Sequence, residues 1–376
     1  MKKLMSLISI IGGSIIIFFA TCNADQKNEG LKDALNDKFY IGVALNEAQI
    51  EGKDTMALNI VTQHFNSIVA ENCMKMEKIH PAKDSFNFKL PDAFVEFGQQ
   101  HRMKIIGHCL IWHSQVPAWI FVDDKGKEVS REELIARMKN HITTVVSRYK
   151  GRVHGWDVVN EAIDDNGQYR QTKWYKIIGP EYIELAFKFA HEADPNAELY
   201  YNDYNEWNPT KRDAIYNLVS GLKAKGIKVD GIGMQGHLSL DSPSIEEYEE
   251  AIVKYASLGV KVMITELDMT LLPWPTERLT ADVSFKAELR AKYNPYPNGL
   301  PDSVNVAFTN RYANLFKLFL KHADKIDRVT LWGVYDAQSW RNYWPIMGRT
   351  DYPLLFDRQY QPKPVVQEII KMAQEK

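Results

Sequence analysis

The feature that most constrains the fold of this chain is an alternation. Eight short runs rich in β-branched and aromatic residues recur along it: FYIGVALN from 39, SIVAENCMK from 67, KIIGHCLIW from 104, VHGWDVVNEA from 153, ELYYNDYN from 198, GIGMQGHL from 231, KVMITELD from 261 and VTLWGVYD from 329. Between them lie segments with helical spacing. Leu134, Met138, Ile142 and Val146 step by four, and Ile215, Leu218, Val219 and Leu222 follow the three-and-four spacing of one helix face. Such a face must be buried, and strand-helix alternation buries it against a parallel sheet through crossover helices. Eight units in one chain predict an α/β fold, a single (β/α)8 barrel of the TIM type with extended loops after the strands, most of all after the seventh. A doubly wound open sheet has the same rhythm. It usually carries a GxGxxG phosphate turn after its first strand, however, and here that turn reads EAQIEGKD.

The stretch from about Leu272 to Pro301 holds Pro273, Pro275, Pro295, Pro297 and Pro301 and reads as a long loop after the seventh run. Such loops form the rim of a barrel's ligand site, so this one points to a substrate larger than a metabolite. No Ser/Gly-rich linker or composition shift marks a second domain. Residues 1–24 read instead as an export signal: Lys2 and Lys3, an apolar run over 4–20, then the polar TCNADQKNEG. The run sits at the short edge of a membrane span. Cys22, after Phe19-Ala20-Thr21, resembles a lipoprotein box with poor matches at Thr21 and Phe19, leaving lipid anchoring and free secretion both open. The expectation is an exported protein, periplasmic, secreted or lipid-anchored to the cell envelope, with residues 25–376 forming one barrel domain.

With 46 Lys and Arg against 48 Asp and Glu, the formal net charge is −2, which argues against nucleic acid as a partner. No protein partner is evident, and the membrane enters only through the Cys22 anchor. Three cysteines make no disulfide framework. Cys73 and Cys109, placed in neighbouring strands, are expected as buried free thiols, a bond between them being the less favoured alternative. There is no CxxC or HExxH, and His108 and His113 with a separate His237 do not form a ligand cluster, so no metal and no cofactor are expected.

Barrel chemistry gathers at the carboxyl ends of the strands. There the sequence places Glu71, Asn72 and Lys75; His108, Trp112, His113 and Gln115; Asn160-Glu161; Asn202, Asp203, Tyr204 and Asn205; Gln235 and His237; Glu266 and Asp268; and Trp332 and Asp336. A lone Glu at a strand end is more often a capping or salt-bridge residue. Glu161 and Glu266, though, each close an apolar strand, where a charge is costly without partners or a role, and a barrel sets the fourth and seventh strands across one mouth. Amides, imidazoles and flat aromatics match sugar hydroxyls and pyranose faces, and two opposed carboxylates are the apparatus of glycoside hydrolysis. Period-two spacing puts Gln235 with His237, and Glu266 with Asp268, on common faces. His237 is then placed to bond the seventh-strand acids and keep Glu266 ionised, while Glu161, expected to lack a cationic or donating neighbour, is pushed toward acid duty.

These residues resemble glycoside hydrolase family 10, typically endo-β-1,4-xylanases, from about residue 39 to residue 370. WDVVNEA at 156–162 is similar to the family's acid/base segment and ITELD at 264–268 to its nucleophile segment. ENCMK, GHCLIWHSQ, YNDYN, GMQGHL and LWGVYDAQSW follow in the family's order. The resemblance implies Glu161 as general acid/base, Glu266 as nucleophile, His237 and Asp268 tuning Glu266, and Asn160 on the 2-hydroxyl of the sugar under attack. It implies Glu71, Asn72, Lys75, His108, Trp112 and Gln115 on the glycone side, with Trp332 and Trp340 closing over them, and Tyr204, Asn205 and Gln235 at or beyond the cleavage point. The partner would be xylan or xylooligosaccharides, cut internally with retention by two carboxyl groups roughly 5 to 5.5 Å apart. Departures are Ile105-Ile106 and Cys109 around His108, Tyr335 in GVYD, whose phenol is expected to reshape the glycone pocket near Trp340, and the long proline-rich loop. The alternatives are a retaining β-glycanase or exo-glycosidase of the same barrel clan, a surface glycan-binding protein, which should have lost an acid, and a metal-dependent hydrolase. Of the nine tryptophans, all but Trp156 fall at or beyond the strand ends, the side on which a barrel binds its ligand.

Overall fold

The computed structural model describes residues 29–275 and 292–375. The apolar leader with Cys22 and the middle of the proline-rich segment lie outside the described residues. The eight runs form parallel strands: β1 (Tyr40–Leu45), β2 (Ser67–Ala70), β3 (Lys104–Ile111), β4 (Gly155–Asn160), β5 (Glu198–Asp203), β6 (Gly231–Met234), with β7 (His237–Ser239) continuing the sixth stave, then β8 (Lys261–Thr270) and β9 (Ile326–Leu331). Each pairs with its neighbour in the chain, β1 also pairs with β9, and β6 with β8, so the sheet closes as a (β/α)8 barrel.

Two apolar layers explain the strand composition. Inside the barrel Ala44, Val69, Ile106, Tyr200, Met263 and Trp332 meet one another, while a larger cluster fills the space between sheet and helices. The helix Arg131–Arg148 buries Leu134, Met138, Ile142 and Val146, the row seen in the sequence, and starts where the Ser130 side chain accepts from the Glu133 N–H. Asn208 caps Pro209–Ala224 in the same way, with proline at the first turn where no N–H is needed. Each such cap is worth about 1 kcal/mol.

Three local features differ from the sequence reading. β2 stops at Ala70, so Glu71, Asn72 and Lys75 follow the strand and Cys73 lies outside any strand; Cys73 and Cys109 are both buried and free. A one-turn helix that the sequence reading lacked, Leu31–Ala34, precedes the first strand, buries Leu31 and packs against the C-terminal helix Pro364–Gln374. Pairing also slips between Asp157 and Val159 on β4, so Val158 and Val159 both enter the outer core, while Asp157 and Asn160 join polar networks away from it. A bulge of this kind breaks strict alternation and re-aims side chains at a barrel rim.

Candidate active site

At the carboxyl ends of the strands lies an open cleft of about 1320 Å³. That exceeds the range of about 300 to 1,000 Å³ usual for small-molecule pockets and suits a chain of several rings. Of the sixteen residues singled out from the sequence, fifteen line it, and Asp268 stands directly behind His237.

Glu161 follows β4 with φ of +59°, a left-handed conformation rare for a side chain of this size. Its N–H donates to the Asn202 carbonyl at 2.9 Å, and its carbonyl accepts from Arg170 Nε at 3.0 Å. The carboxylate accepts from Trp112 Nε1 at 2.8 Å, Gln235 Nε2 at 3.0 Å and Asn160 Nδ2 at 3.3 Å, with His113 Nε2 at 3.9 Å. The expectation that Glu161 lacks donating neighbours is therefore wrong. Trp112 and Gln235, separated from β4 by many residues, reach it only because the barrel brings the third and sixth staves to the same mouth.

Glu266 has a different environment. Asn202 Nδ2 donates to it at 2.9 Å, and His237 Nε2 lies 3.3 Å from its other oxygen. Burial pushes the Glu266 pKa up, but the His237 hydrogen bond and the charges of His108, His237 and Lys75 outweigh it and hold the acid below the usual range. Behind it, His237 Nδ1 is 2.9 Å from Asp268, which also accepts from Arg341 Nε at 2.8 Å and Trp340 Nε1 at 2.7 Å. Burial opposes the imidazolium, yet Asp268 and Glu266 lift His237 to about 9. Burial also raises Asp268, and Arg341 and His237 overcome it and bring the acid to about 2. One acid is thus held by neutral N–H donors and the other by a cationic imidazole.

His237 reaches the seventh-strand acids as its period-two spacing suggests, while Gln235 goes to the other acid. Gly236, at φ of +74°, turns the chain between them, and Gln235 serves Glu161 while His237 serves Glu266. Asn202, placed at a strand end by the sequence but given no role there, bonds Asn160 at 3.0 Å as well as Glu266 and accepts from Thr265 Oγ1 at 2.7 Å. Its position two residues beyond Tyr200, on the inward face of β5, is the signal that points to this role.

On one side of the acids, Lys75 Nζ donates to Asn72 at 3.1 Å and Gln115 at 2.9 Å, and Gln115 Nε2 donates back to Asn72 at 3.2 Å. Lys75 sits 5.0 Å from the Trp112 ring and 5.9 Å from that of Trp332. Burial raises the Glu71 carboxyl beside it. His108 is fixed by Asp157 at 2.9 Å. On the other side, Asn205 Nδ2 donates to Asp165 at 3.1 Å, and the Tyr204 ring lies 3.8 Å from buried Lys211, which pairs with Asp203 at 2.9 Å. Tyr335 does not reshape the pocket; its ring packs at a tilt against Tyr360, centroids 4.2 Å apart, and their hydroxyls bond at 3.0 Å, away from the cleft lining. Trp119, Trp156 and Trp174 sit in or against the core, so six of the nine tryptophans face the cleft. Among the described residues no group of three or more His, Cys, Asp or Glu is placed to hold a metal ion.

A closed parallel barrel with two carboxyls in different hydrogen-bond environments across its mouth, between aromatic and amide-lined walls, defines a glycoside hydrolase of the barrel type. The model of glycosyl hydrolase family 10 matches residues 30–372, and the chain belongs to that family. Among its relatives, an endo-1,4-beta-xylanase A of Xylanibacter ruminicola is 51% identical, with 92% of this chain and 94% of that protein covered. An endo-1,4-beta-xylanase of Geobacillus stearothermophilus is 41% identical, covering 91% and 98%. The solved structure of an endoxylanase of the same family from a sugarcane soil metagenome superposes with a TM-score of 0.86 at 43% identity, over 92% of this chain and 100% of that one.

Proposed function

We propose that the protein is a retaining endo-1,4-β-xylanase that cuts internal bonds of xylan through a covalent glycosyl-enzyme. The observation that carries the reading is the unequal support of the two carboxyls. His237 keeps Glu266 ionised for attack, whereas Glu161 accepts from the indole of Trp112 and the amides of Gln235 and Asn160 with no cationic donor in hydrogen-bond reach, and takes the acid/base role. In the first step Glu161 gives its proton to the glycosidic oxygen as a Glu266 oxygen bonds to the anomeric carbon, and the carbon–oxygen bond breaks with its electron pair leaving on that oxygen. In the second, water attacks the anomeric carbon, Glu161 takes its proton, and Glu266 departs as carboxylate. Asn160 meets the 2-hydroxyl, the Glu71, Asn72, Lys75 and Gln115 wall holds the glycone with Trp332 and Trp340 over it, and Tyr204 and Asn205 receive the leaving part.

Xylan is favoured over other β-linked glycans by relatives named endo-1,4-beta-xylanase that cover most of the chain. The decisive experiment follows the first-formed anomer by proton NMR on xylohexaose and compares rates on xylan and on a β-1,4-glucan. An initial β-anomer and faster xylan cleavage are expected; an α-anomer removes the retaining mechanism, and preference for glucan removes the substrate assignment. Export rests on the leader pattern over residues 1–24, and the mass of the mature amino terminus distinguishes signal cleavage from a lipidated Cys22.

A further inference from the structure

We propose that Arg170 is a positioning residue that couples the proton donor to the leaving-group side of the cleft, an inference that rests on the assignment of Glu161 as acid/base. Its guanidinium joins three partners. Nε donates to the Glu161 carbonyl at 3.0 Å, Nη2 to the Tyr204 hydroxyl at 2.7 Å, and Nη1 lies 2.9 Å from Asp164 Oδ1. The Arg170 backbone N–H itself returns to the Ala162 carbonyl at 2.8 Å, so the residue is tied to the segment it supports.

Glu161 needs such a brace. At φ of +59° its backbone is in a conformation that L side chains avoid, and one that persists only when its surroundings over-determine it. The Asn202 carbonyl pins the peptide on its amino side, and Arg170 pins the carbonyl on the other. Through Nη2 the same planar group reaches Tyr204, whose ring Lys211 supports at 3.8 Å. A rotation of Arg170 therefore moves the acid's backbone and the tyrosine on the leaving-group wall together. Lysine cannot replace this arrangement, because a single ammonium lacks the fixed fork that spans two partners.

The test uses full-length Arg170→Lys and Arg170→Met enzymes, checked for unchanged thermal midpoints, on two substrates. Xylohexaose needs a proton on its leaving oxygen; 2,4-dinitrophenyl β-xylobioside does not. A misplaced acid costs about 10²-fold in kcat/KM on xylohexaose, and the ratio of the two kcat/KM values is expected to shift by nearly that amount, with Lys no better than Met. Equal losses on both substrates in the Arg170 variants, rescue by Lys, or no change overturns the inference. If the parent enzyme turns over neither substrate, the function assignment fails instead, a distinct outcome.

Discussion

Glu161 and Glu266 are the same amino acid in one cleft, and their neighbours give them different duties. The donors on Glu161 are an indole and two amides, none of which titrates near neutrality, while Glu266 faces an imidazole that Asp268 keeps protonated to about 9. Glu266→Ala should abolish turnover and leave xylooligosaccharide binding measurable by calorimetry; undiminished hydrolysis would refute the nucleophile assignment. Because Glu266 is held below the usual carboxyl range, the acid limb of kcat/KM should fall below about 4.3. In His237→Asn the cationic donor is gone while burial still favours the neutral acid, so that limb moves to higher pH. A limb that stays in place would show that His237 does not control Glu266. Both acids were legible in the sequence as charges ending apolar strands. The donors on Glu161 were not, because Trp112 and Gln235 lie on other staves and no local spacing links them to it.

At the scale of elements, strand existence followed from apolar runs, whereas strand phase did not. The bulge after Asp157 lets two successive valines face the helices and places Asn160 with Asn202 and Gln235. The pairing partner sets that slip, and it leaves no mark on the composition of VHGWDVVNEA. Gly233 on β6 is a related case. A Cβ there would overlap Asn202 Oδ1 and stand 2.8 Å from Thr265 Cγ2, and neither neighbour lies on the same strand. Gly233→Ala should destabilise the protein by about 1–3 kcal/mol in denaturant titration and lower kcat/KM at least about tenfold by displacing the Asn202 bridge. A stable variant with full activity would show that the bridge tolerates displacement.

For the whole molecule, buried ionisable groups set a pH profile of stability. Burial lowers His64 and His113 to about 4 and His141 to about 3, from an ordinary 6.5, so the unfolded chain takes up their protons first and stability falls as pH drops below about 6.5. Asp268, lowered to about 2 from 3.8, adds a loss below that ordinary value. Burial raises Glu206 to about 7 from 4.5 and Asp336 to about 6 from 3.8, so each costs stability as pH rises through that interval. His237, raised to about 9, contributes fully below 6.5 and loses its contribution as pH climbs to 9. Below about pH 6.5 the three lowered histidines outnumber the two raised acids, and above it Glu206 and His237 lose their contributions, so stability peaks near pH 6.5 and thermal midpoints should be lower at both pH 3.5 and pH 9; a monotonic profile would contradict these environments. The sequence by itself determined the barrel and its two acids, because periodic apolar burial and the cost of a charge ending a core strand are local properties. Only the tertiary structure decided the Asn202 bridge, the donors on Glu161, the turning of Tyr335 onto Tyr360 and the Arg170 brace. Each depends on the distance between side chains on different staves, which barrel closure and strand register fix and no single segment encodes.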